Sequence, residues 1–232
     1  MLLLYFSVNL KVNTMKEKIL LRFKEFTKIA TISILTCSLL IVLYHWVFPN
    51  NTHYTYEVYR SRIELHYQGA KDALVTTIDK YIDSIAPNSC VNGLKLVELC
   101  DEYNVDVRLA MAQAHLESHF GTLGIAAKTN SIFNVLAFDG RTADDMNKKG
   151  HGYSHPDHSI EPYLILLNKR YLVGNKTEKD LLHKFVDIDN KRYASNPNYE
   201  EQLLGIYNRM NENTDIVEKL NAFNKYKTIL ER

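Results

Sequence analysis

The sequence predicts a mainly α-helical protein whose helical domain is preceded by one membrane-spanning helix. Three observations carry this. Residues 29–48 hold no Asp, Glu, Lys or Arg. Beyond residue 70, apolar side chains recur at helical spacing almost throughout. Only residues 139–159 break that rhythm, with Gly140, Gly150, Gly152 and Pro156 and little apolar content, so an irregular lobe belongs there.

The apolar stretch IATISILTCSLLIVLYHWVF has the roughly 20 residues needed to cross a bilayer as a helix. Tyr44 and Trp46 near its end suit the membrane–water interface, and Lys11, Lys16, Lys18, Arg22, Lys24 and Lys28 precede it. The positive-inside rule puts residues 1–28 in the cytoplasm and everything after residue 49 outside. A cleaved signal peptide is the competing reading, against which stand the length of the run and the lack of a small-x-small site after it. Net charge over all 232 residues is +1, but the basic flank carries the excess, and the remainder is mildly acidic. Such a remainder gives no reason to expect nucleic-acid binding.

Residues 49–72 are polar and Tyr-rich without a clear period, and read as a stalk. A helix is expected over 70–86, where Ala73, Ile78, Tyr81, Ile82 and Ile85 share a side and Pro87 ends the run. Residues 92–103 form a second helix. Asp106 is placed to cap a third by accepting from N–H groups in its first turn. Past the irregular lobe, helices are expected over 159–171, 179–185, 199–210 and 215–230, with Asn196 and Pro197 as the start signal of the third of these. Cys37 lies in the apolar span; the spacing of Cys90 and Cys100 permits a bridge, and two separate buried thiols are the other reading. His151, His155 and His158 cluster, but on turn-rich sequence without zinc spacing, so neither a metal nor a cofactor is expected.

The third helix is the most informative stretch. Leu109, Ala112, Leu116 and Phe120 make an apolar stripe, and Ala110, Gln113, Ala114 and Glu117 run beside it. Glu117 is the sole charged side chain between Arg108 and His119, one turn from the expected end at Gly121. A lone carboxylate at the negative end of the helix dipole tends to hold a proton, which general acid catalysis needs. An ordinary solvated helix-end carboxylate is the alternative from pattern alone.

Three ordered matches favour the catalytic reading. AQAHLESHFGT resembles the AQ-x-x-x-ES-G-W-G stretch of the bacterial glucosaminidase family (glycoside hydrolase family 73), which cleaves peptidoglycan. NSIFNV resembles that family's NN-L-F-G-I, and RYASNPNYEEQL resembles its YATDP-x-Y helix start. The resemblance covers roughly residues 73–210. It implies a lysozyme-like helical domain over 73–232 with a small β-hairpin or irregular lobe, and peptidoglycan glycan strands as substrate. Glu117 falls on the family's catalytic Glu, and Tyr193 on a Tyr placed beside the cleft. Asn130, Phe133, Phe120 and Tyr199 fall in the matched stretches as candidate substrate contacts, with packing the equal alternative for Phe133 and Phe120 and the packing of its own helix the alternative for Tyr199. The family's second acidic residue has four candidates in the lobe, Asp139, Asp144, Asp145 and Asp157, none singled out by a motif. A substrate-assisted route, in which the sugar's 2-acetamido oxygen attacks the anomeric carbon, needs none of them. The implied activity is cleavage after N-acetylglucosamine. A muramidase or lytic transglycosylase on the same scaffold, or a non-catalytic wall-binding or assembly module, are the alternatives. Phe120 stands where the family has Trp, and His119 and Asn134 where it has small residues or Gly, so crowding of the cleft by His119 is expected.

Overall fold

The computed structural model describes residues 22, 24–28, 33–44, 51–135 and 152–232. The chain divides into two compact units, Met1–Arg60 and Ser61–Arg232. In the first, Lys24–Tyr44 is long and apolar enough to cross a membrane, with 21 residues and a mean hydropathy of 2.0.

The second unit is helical. Its elements are α1 (Asn51–Ile85, which begins ahead of the unit), α2 (Gly93–Glu102), α3 (Val107–Ser118) and the short α4 (Ala126–Thr129). A 3-10 turn (Pro156–Ser159) then leads into α5 (Ile160–Leu166), which ends in a π-helical turn (Leu167–Tyr171). α6 (Glu178–His183), α7 (Tyr199–Asn213) and α8 (Ile216–Leu230) complete it. Among the described residues no sheet forms; an isolated antiparallel bridge joins Val186 and Arg192. The segment expected to hold a hairpin lobe lies mostly outside the described residues.

α3 is the centre of the fold. Leu109, Ala110, Met111, Ala112 and Ala114 are each 0 % exposed. Its run of alanines lets α7 approach closely, and α2 packs on another side. Asp106 caps α3 as its position predicts, its carboxylate accepting from the Arg108 N–H at 2.9 Å. That carboxylate also holds the Arg108 guanidinium at 2.6 Å, and the guanidinium lies 5.2 Å from the centre of the Tyr207 ring on α7. α2 starts at Asn92, whose side chain accepts from Lys95 N. Leu74 and Ile78 of α1 join Leu96 of α2, Ile160 and Leu164 of α5, and Leu203 of α7 in the core. Burying each such side chain contributes about 1.5–3 kcal/mol.

Two local expectations shift. The first helix starts at Asn51 rather than near residue 70. Tertiary contacts carry its 61–70 part, since Tyr67 packs on Phe223 and His66 on Tyr226, both at 5.3 Å. Period alone missed this because only Ile63 among the apolar residues of 61–66 is buried. The start signal at Asn196 works as a turn instead of a cap. Its side chain accepts from Asn198 N at 3.0 Å, and the helix begins at Tyr199. All three cysteines are free thiols, with Cys90 exposed and Cys100 buried, which removes the bridge reading.

Candidate active site

Glu117 sits in the last turn of α3, half-buried. The helix ends there because His119 (φ 46), Phe120 (φ 53) and Gly121 (φ 84) are all left-handed. Two of these are not glycine and carry a strain of about 1–2 kcal/mol each. Packing holds them. Phe120 is 0 % exposed, and its carbonyl accepts from Ser89 Oγ at 2.8 Å. Buried Ser118 then ties this turn to the next one. Its Oγ donates to the Ile132 carbonyl at 2.7 Å and accepts from Gly121 N at 2.8 Å.

That second turn brings Asn134 to Glu117. Asn134 is also left-handed (φ 53), a conformation Asn tolerates better than most residues. Its amide donates to Glu117 Oε2 at 2.8 Å and to the Glu117 carbonyl oxygen at 3.1 Å. The other carboxylate oxygen, Oε1, accepts from the Tyr199 hydroxyl at 2.7 Å. Both oxygens of Glu117 therefore hold a neutral donor, one from each side.

Glu117 opens on a groove of about 710 Å³. Asn134, Val135, Tyr193, Arg192 and Lys191 line it, with Arg170 and Asp187 further along. Asp187 is 4 % exposed and fully engaged. One oxygen accepts from the N–H groups of Asp189 and Lys191 at 2.9 and 2.8 Å, and the other holds Arg170 at 2.6 Å. The Arg170 guanidinium keeps its carboxyl below the usual carboxylate range. This carboxylate shapes the 187–191 turn that forms one wall.

The residues that the sequence nominated part company here. Glu117 and Tyr193 line the groove together. The Tyr193 hydroxyl points at the chain, donating to the Phe133 carbonyl at 2.7 Å. Tyr199 is 4 % exposed and reaches Glu117 from behind, so it meets the carboxylate and not a sugar. Phe120 and Phe133 are both 0 % exposed, and Phe133 stacks on Tyr163 at 3.7 Å. Neither offers a face to a sugar, because the apolar interior claims both rings. Asn130 ends α4 in a left-handed conformation and donates to the Tyr153 carbonyl at 2.8 Å, joining two chain segments away from the groove lining. Asp157 accepts from Asn92 N at 2.9 Å at the start of α2, and it lines a different pocket, with Lys95 and Glu161. Asp139, Asp144 and Asp145 lie outside the described residues. His119 is absent from the groove lining; its ring turns back onto His115 at 5.0 Å.

Three residues emerge that sequence reasoning left without a role: Asn134, Gln113 and Tyr163. Asn134 was visible as a replacement of Gly, which marks a left-handed position. Gln113 was visible as an amide one turn before Glu117 in a helix otherwise rich in Ala. Nothing in the sequence joined Tyr163 to either.

A profile of the glucosaminidase family, described as mannosyl-glycoprotein endo-beta-N-acetylglucosaminidase, matches residues 94–212. That span runs from α2 to near the end of α7 and contains Glu117, the groove and every element that lines it. Comparison with curated proteins finds no match. The helical domain, the carboxylate at the end of α3 and the matched profile agree, and the chain belongs to the glucosaminidase family of glycoside hydrolases.

Proposed function

We propose that this protein is a membrane-anchored peptidoglycan hydrolase that cleaves the glycosidic bond after N-acetylglucosamine, with Glu117 as general acid. Residues 1–28 lie in the cytoplasm, 29–48 form the anchor, and the catalytic domain outside takes in α1 from residue 61, because that part of the expected stalk packs on α8. The observation that supports this most is Glu117 at the end of α3, facing an open groove whose other carboxylate among the described residues, Asp187, is already fully engaged.

In this reading Glu117 gives its proton to the leaving sugar's oxygen as the C1–O bond breaks, and that bond's electron pair stays on the oxygen. The positive charge developing at C1 needs a partner. Asp187 is unsuited, because backbone N–H groups and Arg170 already take its oxygens. Among the described residues no other carboxylate lines the groove. Asp139, Asp144 and Asp145 lie outside the described residues, and in this reading the substrate's own acetamido oxygen is the nucleophile, displaced from C1 afterwards by water that gives a proton back to Glu117. Tyr193 lines the groove beside Glu117 and gives its hydroxyl proton to the Phe133 carbonyl, so it holds the wall against which the acetamido group lies.

The test is digestion of purified cell wall by the full chain in detergent, followed by analysis of the new ends. Reducing N-acetylglucosamine ends, absent with Glu117→Gln, are the expected result. Reducing or anhydro N-acetylmuramic acid ends mark a muramidase or a lytic transglycosylase. Wall binding with no release marks a binding module. For the anchor, carbonate extraction should leave a full-length chain in the membrane pellet; a shorter soluble product would make residues 29–48 a signal peptide.

A further inference from the structure

Behind the groove, buried polar side chains form an unbroken chain to Glu117. Tyr163 of α5 donates its hydroxyl proton to Gln113 Oε1. Gln113 of α3 donates from Nε2 to the Tyr199 oxygen at 3.0 Å. Tyr199, first residue of α7, donates to Glu117 Oε1 at 2.7 Å. Tyr163 and Gln113 are 0 % exposed and Tyr199 is 4 % exposed. Helices do not need such groups to pack. An amide and two hydroxyls in an apolar interior are tolerated only when every donor finds an acceptor.

Counting protons fixes the direction of the chain. Each tyrosine hydroxyl has one proton to give, and the amide has one accepting and one donating end. With Gln113 Oε1 toward Tyr163, both tyrosine hydroxyls and one of the two Nε2–H groups find acceptors along the path, and the last proton points at Glu117. Turning the amide over puts its NH₂ against Tyr163, whose own proton then has no acceptor in the chain. Tyr199 would have to donate to Gln113, and Glu117 would keep its bond to Tyr199 only by carrying a proton on Oε1. The buried Tyr163 hydroxyl disfavours that second state. Its depth and the neighbouring Tyr193 and Glu117 push its titration well above the ordinary tyrosine range, so it stays a donor.

We infer that Gln113 and Tyr163 are positioning residues that dictate which oxygen of Glu117 carries the transferable proton. Oε1 is kept as an acceptor by Tyr199. The proton resides on Oε2, on the side that Asn134 does not occupy and that faces the groove, and passes from there to the leaving oxygen. The inference rests on the general-acid reading of Glu117. Two residues remote from the groove thereby set the geometry of a proton transfer, and misdirected reacting groups are slow.

The experiment is a double-mutant cycle in the full chain in detergent, on soluble uncross-linked glycan strands. The proteins are wild type, Tyr163→Phe, Tyr199→Phe, the double variant, and Glu117→Gln. The readouts are kcat, KM, the pH profile of kcat, and the thermal midpoint of each protein. Tyr163→Phe touches neither Glu117 nor the groove, but frees the amide to turn over. Its kcat should fall on the order of tenfold with KM nearly unchanged. The basic limb of its profile should move up, because the turned chain favours protonated Glu117. The other groups bearing on that limb are Asn134, Tyr193, Lys191, Arg192, Arg170 and Asp187 of the groove, and none of them is altered. With Tyr199 already Phe, the same Tyr163 change should have no further effect on kcat or on the limb.

Tyr163→Phe with wild-type kcat and limb overturns the inference. So does an equal, additive effect of Tyr163→Phe in both backgrounds, which a packing role would produce. Inactive Glu117→Gln beside either result refutes this inference alone. Active Glu117→Gln refutes the general-acid reading and this inference with it.

Discussion

Tyr193 and Tyr199 come from one short segment, RYASNPNY, and their rings stack at 5.8 Å with 28° between planes. Their hydroxyls do opposite things. Tyr193 stands half-buried in the groove wall, yet gives its proton to the Phe133 carbonyl at 2.7 Å. Tyr199 is almost completely buried, yet gives its proton to the carboxylate that faces the groove. The more accessible tyrosine therefore steadies a turn, and the hidden one serves the candidate acid. The cause is the helix start. Tyr199 is the first residue of α7, which packs against α3, so its ring enters the core at the level of Glu117. Tyr193 lies ahead of the helix, beside the Val186–Arg192 bridge, and packs on Phe185 at 5.0 Å. A shared motif reveals which groups gather, and the local backbone decides where each proton points.

The largest expected effect removes the group at the centre of this comparison. Glu117→Gln keeps nearly the same volume and one acceptor for Tyr199, and its new NH₂ is met when the Asn134 amide turns over to accept it, but it has no proton to give. Release of reducing ends should fall at least about 10²-fold with the thermal midpoint close to wild type. Near-full activity would leave Tyr199 hydrogen-bonded to a bystander, and the difference between the two tyrosines would have no catalytic meaning.

Tyr199→Phe comes next. It removes the donor to Oε1 and leaves Gln113 Nε2 without its buried acceptor. The rate should drop on the order of tenfold, since orientation is lost and the acid is not. The orphaned amide should cost about 1–3 kcal/mol of stability, read by chemical denaturation. A Tyr193→Phe protein slower than Tyr199→Phe would reverse the comparison.

Asn134→Gly sharpens the other side of the carboxylate. Asn134 is left-handed, where Gly is at ease, so stability should be unchanged or rise by up to about 1 kcal/mol. The donor to Glu117 Oε2 is lost, and kcat should fall several-fold. A parallel His119→Gly change relieves similar strain (φ 46) without touching the carboxylate, and its kcat should stay at wild type. Equal rate losses in both would assign the Asn134 effect to the turn and not to the amide.

Much of the fold was legible because α2, α7 and α8 bury one face each, and burial imposes the 3.6-residue period, while α3, buried on most sides, showed itself by its lack of charge. The early start of α1 was not, since its 61–70 part is held by distant Phe223 and Tyr226. Glu117 was legible as the lone charge of an apolar helix. Phe120 and Phe133 were read toward the substrate because an aromatic side chain serves a sugar or a core equally well; only burial separates the two, and both rings are fully buried. The Tyr163–Gln113–Tyr199 path was not legible, because it joins three helices and no sequence period links them.

Tyr193→Phe should have the smallest effect and tests the comparison most finely. The hydroxyl proton is already committed to the Phe133 carbonyl, so its loss removes one hydrogen bond in the turn that presents Asn134 to Glu117. A partly buried neutral bond contributes about 1 kcal/mol, and the thermal midpoint should fall accordingly. The ring stays, with its contacts to Phe185, Tyr171 and Tyr199. If the hydroxyl only steadies the turn, kcat should change less than about threefold and in proportion to the stability loss. If its oxygen also accepts the acetamido N–H, the loss should instead depend on the substrate. It should then be present with N-acetylated glycan strands and vanish against strands whose acetamido groups are replaced by amines, measured as the ratio of kcat/KM for the two. A substrate-independent loss of tenfold or more would mean that the Tyr193 hydroxyl governs Glu117 through the turn as strongly as Tyr199 does directly, and the division of labour between the two tyrosines would be wrong.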